Sequence, residues 1–234
     1  MTNDYYDEIC KFCANLKLRI EAIFQASNNE LHLNLEGYNL LTRDDNCIKS
    51  STAVGYLLEE FVISKLQDSS HKHYNPNYAI SRAGALTTKS SFDCISDLQY
   101  TDSKGKSQNI RALINIKADK SNNNAIAAIN RLYEDYTSSP EQTKCYIVVK
   151  IRYSIKNSKI IIEGIETYSL EEIDFAAGGS KTDHRSWSKE YNPNSGRLQA
   201  TTKFRKSHKV SAAKVSYTRT LKMIRNMYVD KKSS

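Results

Sequence analysis

The chain has 234 residues, of which 39% are hydrophobic and 26% charged, and its formal net charge is +8. This length and composition suit one globular domain with a sizeable core, and no apolar run approaches the length needed to cross a bilayer. The first residues lack a basic segment followed by an apolar one, so no signal peptide is expected. The five cysteines, an odd number, then predict reduced thiols and a cytoplasmic location.

The positive charge is concentrated at the C-terminal end. Residues 181–234 contain 14 Lys and Arg against 3 Asp and Glu, whereas residues 1–180 contain 20 against 23. This asymmetry indicates a polyanionic partner bound on one side of the protein. A solvated basic tail is the alternative, but aromatic residues such as Trp187 and Phe204 are uncommon in purely disordered segments.

Two helices are predicted in the first 70 residues. Apolar residues recur at helical spacing over residues 4–27, and a second helix over residues 52–67 can be capped by Ser51 or Thr52. The core face of the second helix is expected to contain Val54, Leu57, Leu58, Phe61 and Val62.

Cys10 and Cys13 form a C-x-x-C pair within the first helix. A zinc site usually needs four ligands, and no second pair follows at a suitable spacing. Cys13 can serve instead as a small core residue, so a core role is favoured over a redox or metal role.

A β-hairpin is predicted in the middle of the chain. SFDCISDLQY alternates in polarity, SKGK makes a turn, and NIRALINIKADK forms a second strand whose apolar run suits a central position. The remaining predicted elements are a short helix at 123–136 with Asn caps, strands at 145–154 and 159–169, a possible strand at 198–204 and a last helix at about 207–229. This order predicts an α/β fold with a mixed central β-sheet flanked by helices.

Polar residues gather on this hairpin. Asn115, Lys117 and Asp119 share one face of the second strand because alternate side chains point the same way. Asp93 and Asp97 share a face of the partner strand. Lys117 lies beside an apolar run, where its charge needs a carboxylate or a phosphate nearby.

Phosphodiester hydrolysis uses this set of groups. A carboxylate can hold Mg²⁺, the metal stabilises phosphate charge and activates water, and a lysine holds the water or the developing charge. Glu59 and Glu60, at the edge of the apolar face of the second helix, are candidates for a second carboxylate. An ordinary sheet with incidental polar residues is the alternative.

The chain resembles the PD-(D/E)-x-K nucleases, in which an Asp opens one strand and a (D/E)-x-K motif follows on the next. Asp93 matches the Asp, Lys117 matches the Lys, and Glu59 or Glu60 resembles the acid on the preceding helix of blunt-cutting type II restriction enzymes. AVGYLLEEFV, SFDCISDL, INIKADK and YNPNSGRLQ occur in an order similar to that of the SwaI-like and HincII-like enzymes. The resemblance covers about residues 50–229 as a series of short motifs.

The resemblance implies a magnesium-dependent type II restriction endonuclease that hydrolyses double-stranded DNA, in a single domain over residues 1–234 with a basic DNA-binding region at about 181–234. The implied catalytic residues are Asp93, Asn115, Lys117 and Glu59. The implied Mg²⁺ ligands are Asp93, Asn115, Glu59 and Glu60. The resemblance also implies a homodimer that encloses a palindromic site, without membrane association.

Asn115 departs from the family pattern, which has an acid at this position. An amide oxygen can ligate a metal but carries no charge, so Mg²⁺ binding should weaken unless Glu59, Glu60 or Asp119 compensates. Three explanations stay open: an inactivating change, a native variant with a migrated acid, or a chain that only binds DNA.

The basic C-terminal region contains the candidate DNA contacts. A polar loop at residues 178–182, which includes Lys181, could approach base edges. Side chains with the bidentate chemistry that reads purines are Asn192, Asn194, Arg197 and Gln199. Side chains suited to phosphate contacts are Lys203, Arg205, Lys206 and Lys209. For any single residue, an ordinary surface position is the alternative.

The sequence leaves three alternative functions. A sequence-specific DNA-binding protein without catalysis would keep the basic region but would not need Asp93. A repair or transposition nuclease of the same fold would act on DNA structure instead of sequence. An RNA-binding module is disfavoured because no aromatic-rich strand of the RNP type is present.

Overall fold

The computed structural model describes residues 3–32, 34–35, 38–39, 51–82, 90–119, 125–156, 159–175, 185–186 and 197–229. The helices are α1 (Asp4–Gln25), α2 (Ser51–Leu66), α3 (Ile129–Thr137), α4 (Thr202–Ser207) and α5 (Tyr217–Val229). The strands are β1 (Glu30–His32), β2 (Asn34–Leu35), β3 (Tyr38–Asn39), β4 (Ser81–Arg82), β5 (Cys94–Thr101), β6 (Ser107–Asp119), β7 (Ala125–Ala128), β8 (Lys144–Lys156), β9 (Lys159–Ser169), β10 (Arg185–Ser186) and β11 (Arg197–Gln199). None of the helices within these ranges is long and apolar enough to span a membrane.

The main sheet has six strands in the order β1-β9-β8-β6-β5-β4. The central pair β6–β8 is parallel and the other pairs are antiparallel, so the sheet is mixed. A parallel pair needs a crossover, which α3 supplies between β6 and β8. The predicted α/β architecture, a mixed sheet flanked by helices, is confirmed.

Helices cover both faces of this sheet. Along β6, Ile114 and Ile116 point into a core that they share with α1 and α2. Leu113 points to the opposite face, where it packs in a second core with Leu132 of α3 and Ile224 of α5. The alternation of strand side chains therefore assigns even positions of β6 to one core and odd positions to the other.

The core face of α2 is narrower than the sequence predicts. Val54, Leu58 and Val62 are buried at i, i+4 and i+8, and Phe61 is partly buried. Leu57 is 57% exposed, so its assignment to the core was wrong. It lies one residue away from the buried row and therefore points about 100° away from it.

The segment predicted as a capped helix at residues 123–136 begins as a strand. Strand β7 pairs antiparallel with β11, with Ala127 opposite Leu198, and α3 begins only after Ala128, which provides no side-chain cap. The predicted Asn caps were therefore wrong. The strand predicted at residues 198–204 is confirmed only in its first part, because α4 follows β11 closely.

The C-terminal region contains two helices instead of the single helix predicted at about 207–229. Between α4 and α5 the chain runs against the segment after β9, where Val210 N donates to Glu172 O at 2.8 Å. Val210 and Val215 are buried against Tyr6 of α1. This packing and pairing interrupts the helical pattern, so the predicted helix is confirmed at Tyr217–Val229 and is wrong over residues 208–216.

Candidate active site

Strand β5 stops pairing with β6 before β6 ends. Their register ends at Cys94 opposite Ile114, followed by a hydrogen bond from Asp93 N to Ile114 O at 2.8 Å. The N–H groups of Ile116 and Ala118 then point to the side of β6 that β5 has left. Backbone N–H groups in such a position need other acceptors.

Two carboxylates accept hydrogen bonds from these N–H groups. Asp93 Oδ2 accepts from Ile116 N at 2.7 Å, and Glu59 Oε1 accepts from Ala118 N at a longer 3.4 Å. Two residues of a strand span roughly 7 Å, so the two acids occupy neighbouring places along the open edge. Lys117 lies between their backbone partners in the chain, and the structure therefore brings Asp93, Glu59 and Lys117 together.

Burial raises the pKa of both carboxyl groups. The pKa of Glu59 rises to about 7, chiefly through burial, although the Lys117 ammonium opposes the rise and the Asp93 carboxylate adds to it. The pKa of Asp93 also rises through burial, against the effects of Lys117 and the Ile116 N–H. One ammonium therefore does not offset the burial of two carboxylates, and a second positive charge would be favourable here.

Gly55 sets how closely α2 approaches β6. A Cβ at Gly55 would lie 3.3 Å from Ala118 O, closer than most side chains tolerate. Glu59 is four residues further along α2 and therefore on the same side of the helix. The glycine thus allows the close approach that brings the Glu59 carboxylate to Ala118 N.

Glu60 and Asp97 lie outside this cluster. Glu60 is exposed and forms an ion pair with Arg82 at 2.7 Å, although its charge still raises the pKa of Asp93. Asp97 pairs with Arg111 at 2.9 Å, nearer the turn of the hairpin. Of the two acids that the helix offers, Glu59 is therefore the one at the open edge.

Asn115 is buried and uses its amide nitrogen as a structural link. Its Nδ2 lies 2.8 Å from Ser91 O, 2.8 Å from Ile126 O and 2.7 Å from the Tyr146 hydroxyl. Carbonyl oxygens only accept, so this position requires a donor, which an ionised aspartate lacks. Because Ser91 lies two residues before Asp93, the amide holds the segment that carries that acid.

The remaining amide oxygen is a possible ligand. Asn115 Oδ1 is buried and has no hydrogen-bond partner among the described residues. With the carboxylates of Asp93 and Glu59, it offers the hard oxygen chemistry that Mg²⁺ prefers. The residues present therefore fit a divalent cation in charge and donor type.

A site built from acids alone is not found. No group of three or more His, Cys, Asp or Glu side chains placed to hold a metal occurs in the described ranges. The side chain of Asp119 lies outside the described part of the structure. Its role as a compensating acid stays a prediction.

The face of the sheet beside Lys117 is charged. Lys117 is in register with Lys150 of β8, which is in register with Glu166 of β9. Arg205 of α4 forms an ion pair with Glu166, and its Cζ lies 3.8 Å from the centroid of the Tyr168 ring. Two strand spacings are roughly 10 Å, so α4 reaches the sheet about that far from Lys117 on the same face.

The candidate DNA contacts have different surroundings. Lys203 and Lys206 are exposed on α4, whereas the Arg205 side chain is 14% exposed and engaged internally with Glu166. Arg205 therefore serves packing within the protein, which disfavours its assignment as a phosphate contact. Lys209 lies 3.7 Å from Glu172, and Gln199 is half-buried in β11. Lys181, Asn192, Asn194 and the side chain of Arg197 lie outside the described residues.

Sequence reasoning missed Gly55 and Lys150. The signal for Lys150 is a basic residue inside an otherwise apolar strand, CYIVVKIRYS, but its face depends on pairing with β6 and β9. No local signal identifies Gly55, because its role arises from a contact with Ala118 that is distant in sequence.

No protein-family model matches the chain, and no curated protein matches its sequence. Among solved structures, the chain is similar to NlaIV restriction endonuclease, with a TM-score of 0.40 and 10% sequence identity. The similarity covers 76% of this chain and 65% of that chain, so it spans less than two thirds of the NlaIV chain.

Proposed function

We propose that the chain is a magnesium-dependent endodeoxyribonuclease that hydrolyses double-stranded DNA as a type II restriction enzyme. The observation that carries this proposal is the convergence of Asp93, Glu59 and Lys117 at the open edge of β6. The sequence resemblance to the PD-(D/E)-x-K nucleases implies Asp93, Lys117 and either Glu59 or Glu60 at the site.

Asp93 and Glu59 would hold the metal, with Asn115 Oδ1 as a neutral ligand. When bound, Mg²⁺ supplies charge stabilisation at the phosphate and lowers the pKa of a bound water. The Lys117 ammonium, which lowers the pKa of both acids, would orient the attacking water or bind a non-bridging phosphate oxygen. Asn115 Nδ2 positions Asp93 by holding Ser91, so Asn115 would contribute through both ends of its amide.

DNA would approach the face of the sheet that carries Lys117. The same face carries α4, whose exposed Lys203 and Lys206 are suited to phosphates. Base reading by Asn192, Asn194, Arg197 and Gln199 remains part of the proposal.

A homodimer would let each copy cut one strand of a palindromic site. Sedimentation velocity is the test. The proposal expects two copies on one duplex, and a single copy both free and on DNA would contradict the dimer.

The test of the activity is a digest of supercoiled plasmid DNA with Mg²⁺ or with EDTA. Discrete fragments that require Mg²⁺ are expected. A smear would indicate a nuclease that acts on structure or without sequence preference. Intact plasmid with retained DNA binding would contradict the nuclease proposal.

A DNA-binding protein without catalysis, or an impaired nuclease, is the second candidate. Asn115 favours it, because a neutral amide stands where the resembled family has an acid. The absence of a three-acid group within the described ranges also favours it. The plasmid digest separates this candidate from the first.

A further inference from the structure

Arg152 of β8 lies on the same face of the sheet as Lys117. It is in register with Asp119 of β6 and with Gly164 of β9. Val148, four residues earlier, packs in the core beneath α3 and α5, so Arg152 shares that face by strand alternation. The apolar surface of this face therefore gives way to cationic side chains towards the ends of β6 and β8.

Gly164 allows the guanidinium to lie against the backbone of β9. A Cβ at Gly164 would lie 2.8 Å from Arg152 Nη2, a distance that real Cβ atoms essentially never show. Any other residue at position 164 would push the guanidinium away from the sheet. The glycine thus fixes where the Arg152 charge is presented.

Arg152 has no acidic partner among the side chains that the structure describes, unlike five other arginines. Within the described residues it makes no ion pair and no hydrogen bond, and its Nε is buried without a partner. In the described part of the chain, the arginines that lie within ion-pair distance of an acid are Arg82, Arg111, Arg131, Arg205 and Arg219. A half-buried guanidinium without a partner is unfavourable, and an anion would offset that cost.

We propose that Arg152 binds a phosphodiester group of the DNA backbone beside the phosphate that lies at Lys117. This inference rests on the proposed function. One strand spacing and one two-residue step separate the two residues, or roughly 8 Å between their backbones. The planar guanidinium can make two parallel hydrogen bonds to phosphate oxygens, and such a contact positions DNA without reading its sequence.

The test measures binding of a labelled random-sequence duplex by fluorescence anisotropy over a range of NaCl concentrations, in EDTA to prevent metal-dependent cleavage. Arg152→Gln should weaken binding by about three- to tenfold and reduce the slope of log K against log[NaCl] by about 0.9, the value for one lost phosphate contact. Arg111→Gln is the matched control. It changes the net charge equally on the same sheet face, but at the turn end, and should leave the slope unchanged.

Gly164→Ala provides a second measurement that keeps every charge. By displacing the guanidinium it should weaken binding in the same direction as Arg152→Gln, whereas Arg152→Lys should retain most of the slope. If Arg152→Gln does not fold, as judged by circular dichroism, Gly164→Ala and Arg152→Lys decide the question. Unchanged binding by folded Arg152→Gln would overturn the inference and leave the nuclease proposal standing. If Arg152→Gln does not fold, unchanged binding by Gly164→Ala would have the same consequence. Wild-type protein that binds no duplex would instead overturn the proposed function itself.

Discussion

The two ends of the β5–β6 hairpin carry similar acids in different surroundings. At the turn, Asp102 accepts hydrogen bonds from Lys106 N and Gln108, and these lower its pKa. At the opposite end, Asp93 and Glu59 also accept backbone hydrogen bonds, yet their pKa values are raised. At this end, burial raises the pKa values more than the hydrogen bonds lower them. The carboxylate in the turn is therefore stabilised by its hydrogen bonds, whereas the two buried carboxylates would be stabilised by an added cation.

Replacement of Lys117, the lysine at the open edge of β6, should have the largest effect. Lys117→Ala should lower the cleavage rate by roughly 10²–10³-fold or more, because the ammonium acts on the reacting phosphate. DNA binding should change little. Lys104→Ala, an exposed lysine in the turn, is the matched control and should cut at the wild-type rate. Initial rates of plasmid nicking measure both, and equal rates would remove Lys117 from the site.

Asn115→Asp tests whether position 115 serves as a metal ligand through its oxygen or as a hydrogen-bond donor through its Nδ2. The sequence motif alone would favour stronger Mg²⁺ binding and faster cleavage, because it restores an acid. The hydrogen bonds instead favour a loss of about 3 kcal/mol or more in the free energy of unfolding, because a buried carboxylate would face two carbonyl oxygens. Urea denaturation at neutral pH measures this loss. A stable and more active Asn115→Asp would show that the amide is not required.

The pH dependence of stability should have opposite signs at the two ends. Glu59 has a pKa of about 7 in the folded protein against an ordinary value of 4.5, so its stabilising contribution is present below pH 4.5 and lost as pH rises through 7. Without metal, the difference in unfolding free energy between wild type and Glu59→Gln should therefore fall by about 1–2 kcal/mol from pH 5 to pH 8, after allowance for solvent screening.

Asp102 gives the contrasting case. Its lowered pKa means that its contribution is present above pH 3.8 and lost as pH falls. The difference in unfolding free energy between wild type and Asp102→Asn should therefore become smaller only at acidic pH. A Glu59→Gln curve that ran parallel to the wild-type curve from pH 5 to pH 8 would contradict the raised pKa.

Gly55→Ala should have the smallest effect on stability. Alanine favours the helix by about 1 kcal/mol, while a shift of α2 away from Ala118 O costs a similar amount. Cleavage should nevertheless fall several-fold, because Glu59 moves with the helix. Thermal unfolding and nicking rates of Gly55→Ala, measured on the same preparation, test whether cleavage falls while stability is kept. A loss of cleavage that is fully explained by a smaller folded fraction would contradict this prediction.

The hairpin could be predicted from sequence because its strands are joined by a short turn and their register follows locally. Asp93 and Lys117 were therefore found, whereas the choice between Glu59 and Glu60 needed the contact of α2 with β6. Strand β7 was predicted as a helix because its partner, β11, lies about 70 residues later in the chain. The position of Arg152 likewise depends on Gly164, which becomes its neighbour only in the folded sheet.

The hydrogen bonds of Asn115 also lay beyond sequence reasoning. The motif indicated the position of an acid, but the Nδ2 partners come from Ser91, Ile126 and Tyr146, three separate segments. These partners favour an asparagine over an aspartate at position 115, because the carbonyl oxygens need a donor. Asp119→Asn would then test whether a neighbouring acid supplies the missing charge.

A single plasmid digest with Mg²⁺ compares the open edge of β6 with the part of the hairpin nearer the turn most directly. The digest uses wild type, Asp93→Ala and Asp97→Ala. Both aspartates belong to the same short segment of the hairpin, but only Asp93 lies at the open edge of β6. The proposed site predicts that Asp97→Ala cuts as wild type does and that Asp93→Ala leaves the plasmid intact while still binding DNA. Cleavage by Asp93→Ala at the wild-type rate would contradict the assignment of this edge as the active site.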